Sequence, residues 1–396
     1  MTRLNEYAPI AIAPDSGTAP FGWRWAKLTD VARLESGHTP SRSRPDWWGG
    51  DIPWISLTEI RELDGRWADK TQITTNEAGI ANSAARVLPR GTVCFSRTAS
   101  VGFVTIMGRP MATSQDFANW VCGDQLAPEF LMHALIRSRT QLRAIATGAT
   151  HKTIYMPALE SFHVCMPDLS KQKRIVRRLA AQFDLHDQAR RAARSQLEET
   201  ESMTSALIRE SVEHPDAVMV TLGHVLDEVK QGVGPSWDQF PVLGATRDGL
   251  APAKESVGKN PGRYKLVDQG TLFYNPMRIL IGSIAMVDEG DAPGITSPDY
   301  VVLRGRGGKV DSRWFYHWLR APEGQHCIAS LARGAVRERM LFNRLAEGEI
   351  DLPPYDVQVR ASRALSAVRS MRRAAKDQLN EIERLPSRLL AQAFDS

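Results

Sequence analysis

The chain has 396 residues, 42% of them apolar, and a formal net charge of +5. That length predicts roughly two or three domains, with enough apolar residues to fill a core in each. It excludes a helical membrane protein, because no apolar stretch approaches the roughly 18 residues of a span, and a zinc or disulfide scaffold, because Cys94, Cys122, Cys165 and Cys327 show no Cys-x-x-Cys spacing and no paired His.

The cysteines are expected as buried free thiols, the protein as soluble and cytoplasmic. The run from Ala8 to Pro14 is too short and too rich in proline for a signal peptide, so residues 1–20 are read as a loose tail. Of the 50 basic residues 39 are arginine, which suits bidentate contacts to phosphate and guanine without requiring them.

After the tail, Trp25 to Ala32 predicts a short strand leading into Glu35 to Pro40. In the stretch from Pro45 to Ser56, Gly49-Gly50 and two prolines predict tight turns between aromatic strand residues. Trp48 and Trp54 are read as buried members of that hairpin, with base stacking as the open alternative. Arg42 and Arg44, on the loop before it, are better placed to touch a polyanion. Gly91 to Arg97 and Val101 to Ile106 predict two strands around a loop, and Pro128 to Arg143 an amphipathic helix.

From Gln172 to Val212 there is neither glycine nor proline, which predicts one helix about 60 Å long at about 1.5 Å per residue. A second helical pattern runs from Gln358 to Phe394, with Ala361, Leu365, Val368, Ala375, Leu379, Ile382 and Leu389 at coiled-coil spacing. The first answers with a weaker seam of Ile175, Leu179, Ala189, Ala193, Leu197, Thr200 and Leu207. Pro386 is expected to kink the second helix or to start a new one.

The second half of the chain repeats the first. Gly91-Thr92 corresponds to Gly270-Thr271, Gly102 to Gly282, and Ser114-x-Asp116-Phe117 to Ser297-x-Asp299-Tyr300. Phe130 answers to Trp314, Pro167 to Pro353 and Gln172 to Gln358, while the first long helix carries four extra residues near Ala193, one turn that a coiled coil absorbs as a stutter. The predicted fold is α/β: two tandem domains of mixed α/β structure separated by two long helices in an antiparallel coiled coil, with an internal pseudo-twofold repeat. Its parts are a tail over 1–20, a first domain over 21–168, a spacer helix over 169–214, a second domain over 215–356 and a second spacer helix over 357–396.

Catalytic signals dissolve on inspection. Asp351 to Tyr355 has the outline of an amino-methyltransferase Pro-Pro-Tyr motif, yet Leu352 lacks the acceptor that would hold an amine, and no Gly-rich cofactor loop follows a strand. Asp216 with Glu228 and Lys230 has the outline of a metal-dependent nuclease triad but no convincing apolar strand around it. No catalytic residue, cofactor site or metal site is expected in this chain.

Two unlike copies of one domain, separated by long helices, resemble the specificity subunit of Type I restriction-modification systems. The residues carrying the resemblance are Trp48 to Ile55, Tyr274 to Arg278 with Ile281-Gly282-Ser283 and Ser297 to Tyr300, and the Pro-x-x-x-x-Gln start of both helices. The resemblance implies that each domain reads half of a bipartite target on double-stranded DNA. It also implies that the helices set the spacer and dock two methyltransferase subunits that use S-adenosylmethionine, and that motor-nuclease subunits join the full complex. No membrane is implied.

Basic residues recur at equivalent places in both copies: Arg97 against Arg278, and His151 and Lys152 against Arg333, Arg337 and Arg339. With Arg42 and Arg44 they form the predicted DNA-binding set, against the plain alternative of solvated basic loops. A stand-alone DNA-binding or scaffold protein of another phage-defence system is the second reading.

Overall fold

A computed structural model describes residues 8–148, 152–332 and 339–394. The chain divides into two compact units, one formed by 1–190 with 380–396 and the other by 191–379. Each unit therefore draws on both long helices.

The first unit is built on a five-stranded sheet in the order Ala32–Ser36, Phe117–Cys122, Val93–Ser96, Val104–Met107 and Trp67–Ala68. The first three pairings are antiparallel and the last parallel. Its central strands Val93–Ser96 and Val104–Met107 are buried at every position, the pattern of strands covered on both faces. Helix Pro128–Arg137 packs Phe130, Leu131 and Leu135 into the same core, and Pro128 sits in its first turn, where a missing N–H costs nothing.

Three expectations need correction here. The loose tail is in part a strand, Ile10–Ile12, paired antiparallel with Phe162–Met166 and with Ile10 buried. The predicted helix over 128–143 breaks at Ser138, whose hydroxyl accepts the Ile10 N–H at 2.9 Å; a new helix follows over Arg139–Ala144. And Trp48 to Ile55 is one strand with a register irregularity between Trp48 and Ile52, rather than a pair of tight turns. Gly49 at φ +80° takes up the distortion, a conformation other residues rarely adopt.

The second unit repeats the sheet. Leu226–Glu228, Val301–Gly305, Thr271–Tyr274 and Ile284–Val287 lie in the same order as the first four strands of the other unit, again antiparallel throughout. Where the first unit adds a parallel fifth strand, the second carries a hairpin, Leu243–Thr246 with Gly249–Pro252. Pairing of Val218–Thr221 with Glu349–Leu352 mirrors that of Arg24–Lys27 with Phe162–Met166.

Both long helices start the same way. Gln172 is fully buried; its Oε1 accepts from Ala127 N at 2.9 Å and its Nε2 donates to the carbonyls of Gln125 and Pro167. Gln358, equally buried, accepts from Asp311 N at 2.9 Å and donates to the carbonyls of Lys309 and Pro353. A buried amide is tolerated only when its groups are bonded, and each glutamine does this while tying its domain to the helix.

The first long helix spans Leu169–Val212, with Asp168 Oδ1 accepting from Lys171 N as an N-terminal cap, and the second spans Tyr355–Phe394. Pro386 lies inside the second without ending it. Beyond it Leu390, Ala393 and Phe394 are buried in the core of the first unit with Ile175 and Leu179, and the Phe394 ring lies 5.2 Å from that of Phe130, so packing holds the helical turn that a proline would otherwise loosen. Within the second unit the helices run antiparallel: Arg372 meets Glu201 at 3.0 Å, and Ile208 shares the core with Ala361 and Leu365. Of the expected first seam, Ile175, Leu179, Ala193 and Thr200 are buried, and Ile208 is buried more deeply than Leu207. In the second, Leu390 is buried more deeply than Leu389.

Candidate DNA interface

The arginines before the aromatic strand are held by local partners. Arg42 lies over the rings of Trp48 and Trp54, 5.8 Å from each centroid. Trp54 is buried and donates its indole N–H to the His38 carbonyl, whereas Trp48 is half-buried, so of the two only Trp48 presents any ring surface. Arg44 stacks on Trp47 and forks onto Asp46 at 3.0 and 2.7 Å; that hydrogen bond holds the Asp46 carboxyl below its usual range.

Arg97 and Arg278 follow equivalent strands but differ in setting. Arg97 is half-buried and donates from Nη2 to the Gln115 carbonyl at 2.8 Å, so it braces the turn it stands on. Arg278 is exposed, with its backbone N–H bonded to Asn275 O and its carbonyl accepting from Ile281 and Ser283. Lys152 stands beside the turn after Arg97, and its carbonyl accepts from Ala99 N at 3.0 Å. Arg339 reaches Asp299 at 3.3 Å with both side chains exposed. His151, Arg333 and Arg337 lie outside the described residues.

The structure adds cations that the sequence pattern does not reveal. In the first unit Arg61, Arg139 and Arg143 surround the Phe103 ring at 5.8, 5.2 and 5.4 Å, and Arg61 and Arg143 with Lys152 border a hollow of ≈ 270 Å³. Arg139 is paired with Asp64 at 2.7 Å, while burial first and then the neighbouring Arg139 push the Arg143 guanidinium down from its ordinary value. Such a cluster suits a phosphate.

In the second unit Arg278 opens onto a cleft of ≈ 660 Å³ that Arg247, Lys254, Asn275, Ser283 and Tyr300 also line. Its floor is fixed by Arg320, which donates to the carbonyls of Ile284 and Arg247, and by Ser283 Oγ, which donates to Ala245 O. Arg61, Arg143, Arg247 and Lys254 come from segments with no shared spacing, so only folding brings each pair together.

Among the described residues there is no group of three or more His, Cys, Asp or Glu side chains placed to hold a metal ion, and no helix long and apolar enough to cross a membrane. Lys230 is paired with Glu228 at 3.2 Å. The four cysteines form no disulfide; Cys94, Cys165 and Cys327 are buried and Cys122 is half-buried.

A duplicated α/β unit presenting basic loops, each copy anchored to the start of a long helix by a buried glutamine, defines a two-domain α/β architecture with paired long helices. Residues 20–199 match the family model of the Type I restriction modification DNA specificity domain. This stretch is similar to the specificity subunits of Type I restriction-modification systems.

It is similar to the Type I restriction enzyme MjaIX specificity subunit of Methanocaldococcus jannaschii, 28% identical over 174 residues that make up 43% of this chain and 40% of that protein. It is also similar to the HindI specificity subunit of Haemophilus influenzae, 30% identical over 135 residues, 33% of this chain and 28% of that one. Similarity thus spans less than half the length of these relatives. The fold extends further. A chain solved in work on assembly and conformational transition of the type I R-M system superposes with a TM-score of 0.66 at 20% identity, covering 95% of this chain and 98% of that one. The HsdS subunit of Thermoanaerobacter tengcongensis gives 0.55 at 19% identity, covering 97% and 98%.

Proposed function

We propose that this chain is the DNA sequence-recognition subunit of a Type I restriction-modification complex. In this reading residues 21–168 and 215–356 are target recognition domains, each reading one half of a bipartite site. The long helices set the spacer and dock two methyltransferase subunits. Those partners supply S-adenosylmethionine and the chemistry, motor-nuclease subunits join them in the full complex, and this chain is non-catalytic and works in the cytoplasm.

The observation that carries the reading is the combination of one repeated frame with unlike loops. Four sheet strands and a buried glutamine recur in both units, while the loops beside Arg97 and Arg278 differ in chemistry. A rigid frame holding variable loops is how base contacts are presented, whereas phosphate contacts from Lys and Arg supply affinity common to all sequences. The proposed interface is Arg42, Arg44, Arg97, His151, Lys152, Arg278, Arg333, Arg337 and Arg339, joined by Arg61 and Arg143.

The test is to map methylated adenines in cells carrying this chain with its partner subunits. A motif of two unlike halves around a fixed gap is expected. A single contiguous motif, or none, contradicts the reading. Inserting one four-residue turn after Leu185, where the first helix is exposed, moves an axial position by about 6 Å and should lengthen the gap by up to two base pairs, with the half-site letters unchanged.

A further inference from the structure

The turn after strand Thr271–Tyr274 ends in three bare apolar side chains: Met277, Leu280 and Ile281 are 56%, 52% and 63% exposed. The turn itself is built to be stiff. Asn275 Oδ1 accepts from Met277 N, Arg278 O accepts from Ile281 N and Ser283 N, and Ile279 between the exposed residues is buried at 1%. Gly282 at φ +81° then turns the chain back into the sheet. A loop that buries one isoleucine while holding three exposed apolar side chains around it is preorganised for contact.

We propose that Met277, Leu280 and Ile281 form a wedge that inserts between base pairs of the second half-site and unstacks one step there. This rests on the recognition reading given above. The occupant is argued from charge: exposed Arg278 lies within the wedge, and Arg247 and Lys254 line the cleft beside it, against Glu255 and an Asp299 already facing Arg339. Apolar side chains flanked by cations suit stacked bases on a polyanionic backbone, and Met, Leu and Ile are among the residues that kink DNA this way. In the equivalent turn of the first unit Ser96 precedes Arg97, and Ser100 and Val101 precede Gly102; Ser96 and Val101 are buried, so no such wedge is presented and the distortion belongs to one half-site alone.

The test uses the full chain assembled with its methyltransferase subunits and duplexes in which 2-aminopurine replaces one base at a time, away from the methylated adenine, because that base can itself be flipped out. A rise in fluorescence at one step of the second half-site, absent throughout the first, is expected. Leu280→Gln with Ile281→Thr should abolish that rise and lower discrimination at the second half-site on the order of tenfold, leaving the first half-site unchanged. Being exposed, these positions tolerate polar residues, and circular dichroism of the variant checks the fold. Unchanged fluorescence at every step of a target the complex binds selectively overturns the wedge while leaving recognition intact. Loss of methyltransferase assembly in the variant, with DNA stacking unaltered, makes the turn a protein-docking surface and overturns it as well. A complex with no sequence preference at all removes the recognition reading itself, and the wedge with it.

Discussion

The two units share what is buried and differ in what is exposed. Gln172 and Gln358 make the same three kinds of hydrogen bond 186 residues apart, and the four common strands keep one order. At the matching turn, however, the first unit sets cations around Phe103 and braces Arg97 against the Gln115 carbonyl, whereas the second leaves Arg278 free among exposed apolar side chains. Drift has been confined by physics: a change at a buried amide leaves several polar groups unpaired, while a change on a surface turn costs little.

The largest expected effect tests the shared part. Gln172→Leu strands an N–H and two carbonyls and should destabilise the first unit by about 3 to 4 kcal/mol. Gln358→Leu should do the same to the second. Hydrogen exchange should show protection lost near Ala127 in one variant and near Asp311 in the other. Comparable loss in both units from a single substitution breaks the equivalence.

A second shared feature is a histidine on the helix that covers each sheet. His133, 8% exposed, and His317 stand 184 residues apart, as Phe130 and Trp314 do, and burial pushes each imidazole down to about 4. The folded protein therefore resists a proton that the unfolded chain accepts near 6.5, so stability is fully present above that pH and falls as pH drops towards 4. For His133 the loss across this window is roughly 2 to 3 kcal/mol. Urea unfolding at pH 7 and pH 4.5 should show it, and His133→Phe should flatten the first unit's share of the slope.

The smallest effect concerns the part that differs. Arg278→Ala should cost about 1 to 2 kcal/mol at the second half-site without lowering the melting temperature. Arg97→Ala should weaken the first half-site together with a drop in melting temperature, since this side chain also braces its turn. Equal losses at both half-sites from either variant would make that residue a general phosphate contact.

Much of this was legible in the sequence because the repeat is marked by residues with narrow roles. Gly102 and Gly282 both adopt positive φ, and the glutamine starts recur at fixed spacing. The strand Ile10–Ile12 was hidden because it is short and its partners lie some 150 residues away, where no local pattern reaches. The persistence of the helix through Pro386 depends on Phe394 being anchored in a distant core, which propensity does not encode. The cations at Phe103 escaped for the same reason: Arg61 and Arg143 come from different elements, and each alone looks like a solvated surface residue.

The central claim is that each unit reads its own half of the target. The most direct measurement exchanges residues 216–356 for the matching domain of another specificity subunit with a different target, then maps methylated adenines in cells carrying the hybrid and its partners. A motif that keeps the first half-site and takes the second from the donor is the predicted result. A folded, active hybrid whose motif is unchanged, or changed in both halves, would contradict it.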